Sequence, residues 1–179
     1  MRPGPDNKSY FFCTRPATRF AKTHFDKIDT IVEVGVFWGN NARLMWWHLN
    51  PRMMYLVDPY EPYKEGSPSN EKWDWNRQVA TFATAIIPCE RIFLPSIRAS
   101  GFVPSGLDMV YLDGAHDYEN VCADIRCWWK KVRVGGLLCG HDYNNDDCPG
   151  VARAVNELLP GADHKDCDWW IVKETQDEA

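Results

Sequence analysis

Short apolar runs bounded by turn residues alternate with amphipathic segments along most of the chain, and that alternation narrows the fold more than any other feature. The runs are TIVEVGV (30–36), MMYLVD (53–58), RIFLP (91–95), LDMVYLD (107–113), GGLLCGHD (135–142) and DWWIVK (168–173). Each has the length and composition of a strand. The spacing between them predicts helices over ATRFAKTHFDKID (17–29), NNARLMWWHL (40–49), EKWDWNRQVATFATAI (71–86), DYENVCADIRCWWKKV (117–132) and PGVARAVNELL (149–159). Stops are supplied by Pro51, Pro88, the Gly135-Gly136 pair and Pro160. Most runs are apolar on both faces, as strands are when helices cover a parallel sheet from either side. The expected fold is α/β, a doubly wound, mostly parallel sheet with helices on both faces and right-handed crossovers.

A length of 179 residues suits about one domain. The expected division is an N-terminal arm and helix over 1–29, its first 15 residues loose over the surface, and a single domain over 30–179. Hydrophobic residues at 45% and charged residues at 25% are near globular averages, and no apolar run reaches the ~18 residues of a membrane span. No membrane partner is expected. The first residues lack the apolar stretch of a secretory signal, which makes the cytoplasm the default compartment. Seven cysteines, an odd number with no CxxC pair, point to reduced thiols. The net charge of −5 argues against nucleic acid as a partner, which calls for a basic stripe.

The stretch IVEVGVFWGNNARLMWWHL (31–49) passes from strand to helix through Gly35 and Gly39. In an open α/β sheet this first turn lies at the carboxyl ends of the strands, where ligands bind. A nicotinamide dinucleotide requires GxGxxG there, but Glu33 stands where the first glycine belongs, and its carboxylate repels a pyrophosphate. A ligand with cationic groups at this turn and a ribose beyond it fits better. S-adenosylmethionine, with its ammonium and sulfonium, is such a ligand. Asp58 ends the next strand, where a carboxylate can take both ribose hydroxyls, and Tyr60 follows within reach of an adenine.

A second constellation sits on LDGAHDYENV and GHDYNNDDCPGV. Asp113 and His116 end one strand and His141 and Asp142 end another, so a parallel sheet gathers them on one rim beside the same turn. Asp113 and Asp142, helped by His141 or Asn144, suit a divalent cation such as Mg²⁺. Alternatively His116 or His141 is a general base for a hydroxyl. The plainer alternative makes the aspartates helix caps and the histidines structural.

The order VEVGVFWGN, YLVDPY, LDMVYLDGAHDYENVCADIRCWWKKVRVGGLLCGHDYN, PGVARAV and WWIVK resembles the small class I S-adenosylmethionine-dependent methyltransferases called methyltransferase family 24. These are similar to catechol-type and macrolide-sugar O-methyltransferases. The resemblance covers about residues 30 to 173 and implies their Rossmann-like fold. It implies cofactor binding by Glu33, Gly35, Gly39 and Asp58, with Ser96 near the adenine and Asp113 reaching the methionine moiety or a metal. Catalytic roles fall on His116, His141 and Asp113, and a Mg²⁺ or other divalent site on Asp113, His141 and Asp142. His141 replaces the first acid of the pair found in the sugar-modifying relatives, which weakens a hard-cation site. The acceptor implied is a hydroxyl on a small molecule or glycan. With little chain beyond the core sheet, the acceptor site is either open or completed by another subunit of a homo-oligomer. The rival readings are an inactive cofactor-binding module or partner subunit, a nicotinamide oxidoreductase, and a nitrogen or carbon methyltransferase.

Overall fold

A computed structural model describes residues 14–61 and 72–175. The start of the chain, with Cys13, and the first residue of the 71–86 segment lie outside the described residues. The strands are β1 (Thr30–Val34), β2 (Met53–Val57), β3 (Cys89–Ile92), β4 (Leu107–Leu112), β5 (Val132–Gly140), β6 (Asp163–Lys165) and β7 (Asp168–Val172). The helices are α1 (Pro16–His24), α2 (Asn40–Leu49), α3 (Trp73–Ala83), the single turn α4 (Ser96–Ala99), α5 (Tyr118–Trp129) and α6 (Pro149–Leu158).

Seven strands form one sheet in the order β3-β2-β1-β4-β5-β7-β6. β1 to β5 run parallel to one another, and β7 lies between β5 and the edge strand β6, antiparallel to both. The chain starts at the centre and winds outward in both directions, so the switch point lies between β1 and β4. That is the doubly wound α/β fold read from the alternation.

Both sheet faces are dry. One layer packs Val32, Val110, Ile125, Trp128, Leu138 and Val155, and the other packs Ala17, Ala21, Ile31, Met45, Met54 and Leu137. Residues of one strand divide between the layers because successive side chains point to opposite faces. Val110 and Tyr111, adjacent on β4, lie on opposite faces.

Several boundaries differ from the sequence reading, among them β3, which runs Cys89–Ile92 where 91–95 is expected. α5 stops at Trp129, and Val132 starts β5 instead of extending the helix; Gly135 and Gly136 lie inside that strand. The Gly135 φ of +70° belongs to a local irregularity near the register shift between β4 and β5, not to a helix stop. α1 ends at His24, where Phe25 turns extended. α3 ends at Ala83, and the Thr84 hydroxyl donates to the Ala80 carbonyl in place of a further turn. β6 was not foreseen because all three of its residues are exposed and polar. α1, the expected first helix, is tied to the sheet: Ala17 and Ala21 are fully buried, and the Ala17 amide donates to Asp168 on β7.

Among the described residues all six cysteines are free thiols. No described helix is long and apolar enough to cross a membrane.

Candidate active site

A cavity of about 680 Å³ opens at the carboxyl ends of β1, β2 and β4, within the range of small-ligand sites. Gly35 makes its floor possible. Its φ is +85°, and a Cβ there would lie 2.0 Å from the Asp113 carbonyl oxygen, so only glycine lets the β1 and β4 ends close up. Gly39, with φ +77°, caps α2 and would drive a Cβ to 2.8 Å from Thr84. It shapes the turn but does not line the cavity.

Glu33 is fully buried and lines this cavity. One carboxylate oxygen accepts from the Asn41 amide at 2.9 Å, and the other has no hydrogen-bond partner. Burial pushes its pKa up to about 8, with the Asn41 bond acting in the opposite direction. A buried acid with an unused oxygen, facing a cavity at the start of α2, has the chemistry to receive a cation.

Asp58 also lines the cavity, but its carboxylate already serves the turn. One oxygen accepts from the amides of Val36 and Phe37 at 3.0 and 2.9 Å, the other from Tyr60 at 2.9 Å. Of the about four acceptor positions of a carboxylate, one is left. With these amides in place, a ribose would find about one free acceptor position here, where the sequence reading expects two. Tyr60 differs from that reading as well. It is buried, its hydroxyl donates to the Phe37 carbonyl, and it faces away from the main cavity. Ser96 does line the cavity and accepts from the Trp128 indole at 2.8 Å. Beside it lies Asp124, which the sequence reading passed over. Its place in the apolar stripe of α5, next to Val121, Ile125 and Trp128, was the available signal. Burial raises its pKa to about 6, partly offset by a bond from Ser96.

The rim beyond Gly35 brings Asp113, His116, His141 and Asp142 together. His116 Nε2 lies 3.0 Å from one Asp142 oxygen, close enough for a charge pair although not aligned as a regular hydrogen bond. His141 Nδ1 lies 3.2 Å from the other. Asp142 adopts a left-handed φ of +61°, a strained conformation for a non-glycine residue that turns its side chain into this cluster. Burial opposes its charge, but His116, His141 and Asn145 outweigh that and hold the carboxyl well below its usual range. The interaction with Asp142 in turn raises His116. His116 and Asp113 line the main cavity, whereas His141 lies behind them in a small hollow against Trp169.

A family model described as a methyltransferase domain, Methyltransf_24, matches residues 32–143. The chain belongs to this family. Its fold is that of the class I S-adenosylmethionine-dependent methyltransferases. The uncharacterized protein R132 of Acanthamoeba polyphaga mimivirus is 29% identical over 140 residues, 75% of this chain. The chain spans 62% of that relative's length. An rRNA methylase from Streptococcus thermophilus is similar in structure with a TM-score of 0.62 and 14% identity, over 98% of this chain and 99% of the other. MycE, a methyltransferase of the mycinamycin biosynthetic pathway solved with Mg, SAH and mycinamycin VI, is similar with a TM-score of 0.58 and 18% identity, over 89% of this chain and 49% of its own. The matched 32–143 segment of the methyltransferase family includes every site residue read from the sequence except Asn144.

What lies outside that segment is Arg15. Its Nη1 donates to Asp113 at 2.8 Å and to the Tyr111 hydroxyl at 2.9 Å, and it lines the cavity. Burial works against its charge, but Tyr111, Asp113 and Asp168 raise its pKa further. Asp113 is raised by burial, which Arg15 and His141 only partly offset. A lone arginine in a Pro-rich stretch carries no periodicity or motif, so the sequence reading missed it.

The ligand atoms of Asp113, His141 and Asp142 lie within 4.8 Å of one another, a spacing that suits an ion. Their chemistry does not suit a hard one. Such a cation takes six or more oxygens, and here one group is an imidazole while Asp113 is already paired with a guanidinium.

Proposed function

We propose that this chain is an S-adenosylmethionine-dependent methyltransferase that transfers the methyl group to a hydroxyl oxygen of a small molecule or sugar. One observation carries the reading: a single cavity has the cation-seeking Glu33 in one wall and the paired base His116 in another. When bound, the cofactor supplies a methyl group on sulfur, which is already a good leaving group. Glu33 receives the ammonium, Asp58 accepts one ribose hydroxyl, and Ser96 and Asp124 face the adenine.

His116 takes the acceptor proton as the oxygen attacks, and Asp142 holds the ring and stabilises the imidazolium that forms. Asp113 shapes the rim against Gly35 and fixes Arg15. His141 supports Asp142 from behind. Alignment of the two reactants in one cavity supplies much of the remaining acceleration. The net charge of −5 favours a small acceptor over RNA, whose phosphates call for a basic surface. The single domain over 30–179 then depends on residues 1–29, which supply Arg15.

Titration calorimetry with S-adenosylhomocysteine, with NAD as the control, tests the cofactor half. One-site binding of the first and none of the second is expected. A panel of hydroxyl acceptors tests the transfer half, and His116→Gln should lower turnover by about 100-fold or more without changing S-adenosylhomocysteine affinity. Binding without product from any acceptor would favour the inactive module. No binding would end the methyltransferase reading.

A further inference from the structure

Neither cofactor binding nor proton removal uses Arg15, yet the fold secures it from several sides. Its Nη1 is held by Asp113 and by the Tyr111 hydroxyl, and that hydroxyl donates to Asp168 at 2.9 Å. The Asp168 carboxylate in turn receives the Ala17 amide at 2.9 Å, which ties the first turn of α1 to β7. The arginine is thus fixed at both its backbone and its tip.

The carboxylate oxygens around it are already committed. One Asp113 oxygen takes Arg15. Both Asp142 oxygens face histidines, and one also accepts from Asn145. Both Asp168 oxygens are used by Ala17 and Tyr111. That leaves the second Asp113 oxygen as the open donor, since the His141 Nδ1 that lies 3.8 Å from it also lies 3.2 Å from Asp142. A hard divalent cation is anchored by charged carboxylates, one or two of them for Mg²⁺ with water filling the remaining positions, and the carboxylate with the open oxygen is already neutralised by a guanidinium at 2.8 Å. An ion placed there would also sit beside a permanent positive charge in a poorly solvated rim, where like-charge repulsion is weakly screened.

We infer that the Arg15 guanidinium is the resident cation of the transfer site, standing where a divalent metal would otherwise pair with Asp113, so that this chain works without one. The inference rests on the methyltransferase reading only in naming this rim the transfer site. Arginine suits the position because its charge persists at any working pH and its planar donors fit carboxylate and phenol oxygens together.

The test is Mn²⁺ binding followed by electron paramagnetic resonance, which reads the ion whether or not methyl transfer is observed. The wild-type protein should leave Mn²⁺ free. Arg15→Gln, which keeps a hydrogen-bonding side chain and removes the charge, should bind one equivalent at least about tenfold more tightly, a gain of ~1.4 kcal/mol. Adding Asp113→Asn should abolish that site, and Arg15→Lys, which restores a cation, should not acquire it. Should Arg15→Gln fail to fold, the wild-type titration decides alone: unbound Mn²⁺ supports the inference, and one equivalent removed by Asp113→Asn overturns it. Equal Mn²⁺ affinity in wild type and Arg15→Gln also overturns it. Once an acceptor is found, turnover should survive a chelator. Absence of any turnover would count against the methyltransferase reading and leave the Mn²⁺ result standing.

Discussion

Glu33 and Asp113 are carboxylates on neighbouring strands of one rim, and the protein treats them in opposite ways. Glu33 pairs in register with Tyr111 on β4, two residues before Asp113. Glu33 has an amide on one oxygen and nothing on the other, while Asp113 has a guanidinium at 2.8 Å. Burial raises the pKa of both. A buried acid without a counter-charge costs stability, and a chain keeps one where a cationic ligand completes it. An acid completed from within belongs to the scaffold. In the proposed function Glu33 is therefore the residue that meets the ligand, and Asp113 the one that holds the rim in shape.

The largest effect should come from removing what brings the two together. Gly35→Ala puts a methyl group 2.0 Å from the Asp113 carbonyl at a φ of +85°, which neither strand can absorb. We expect a loss of about 4 kcal/mol or more, read as failure to fold or a steep drop in Tm. A variant that melts within a few degrees of wild type would mean that the two strand ends are not locked, and the comparison would lose its geometric basis.

Glu33→Gln and Asp113→Asn separate the roles directly. Replacing Glu33 should weaken S-adenosylhomocysteine by about 100-fold, ~2.7 kcal/mol, since it removes the charge that meets the ammonium. Replacing Asp113 should change that affinity by roughly threefold at most. Equal losses in the two titrations would show that Asp113 is as much a ligand residue as Glu33.

The raised pKa of Glu33 adds a signature in pH. In the unfolded chain the group ionises near its ordinary value of 4.5, and in the folded chain near 8. Between those values the folded state holds a proton that the unfolded state has released. Stability of the ligand-free protein therefore falls as pH rises through this window, by up to ~1.4 kcal/mol per unit from this group. Glu33→Gln removes that slope, so its chemical denaturation midpoints should match wild type near pH 5 and exceed it near pH 8. Cofactor affinity should run the other way and rise toward pH 8, by up to about tenfold per unit, because binding an ammonium requires the carboxylate. Flat affinity across this range would show that Glu33 is ionised in the empty site.

The two carboxylates also differ in how they could be read from the chain. Glu33 is legible because its function is local: strand, acid, glycine and helix follow within a few residues, and the next strand ends in Asp58. The His116 and Asp142 pair was legible as a cluster because parallel topology gathers successive strand ends. Arg15 was not, since its partners Tyr111, Asp113 and Asp168 are distant in sequence and only the docking of α1 on β7 unites them. The side-chain detail of Asp58 and Tyr60 was hidden for another reason. Both belong to a turn whose own amides and carbonyls compete for the groups assigned to the ligand.

The smallest effect sharpens the comparison from the Glu33 side. Asn41, in the first turn of α2, donates a hydrogen bond to Glu33 at 2.9 Å. That bond favours the ionised acid and works against burial. Asn41→Leu should raise the Glu33 pKa further and weaken S-adenosylhomocysteine by about five- to tenfold at pH 7, the worth of one hydrogen bond to a charged group. The deficit should shrink above pH 9, where the carboxylate forms without help. A deficit unchanged by pH would mean that Asn41 acts on the ligand itself, which would make the cation receptor a pair of residues and not a single acid.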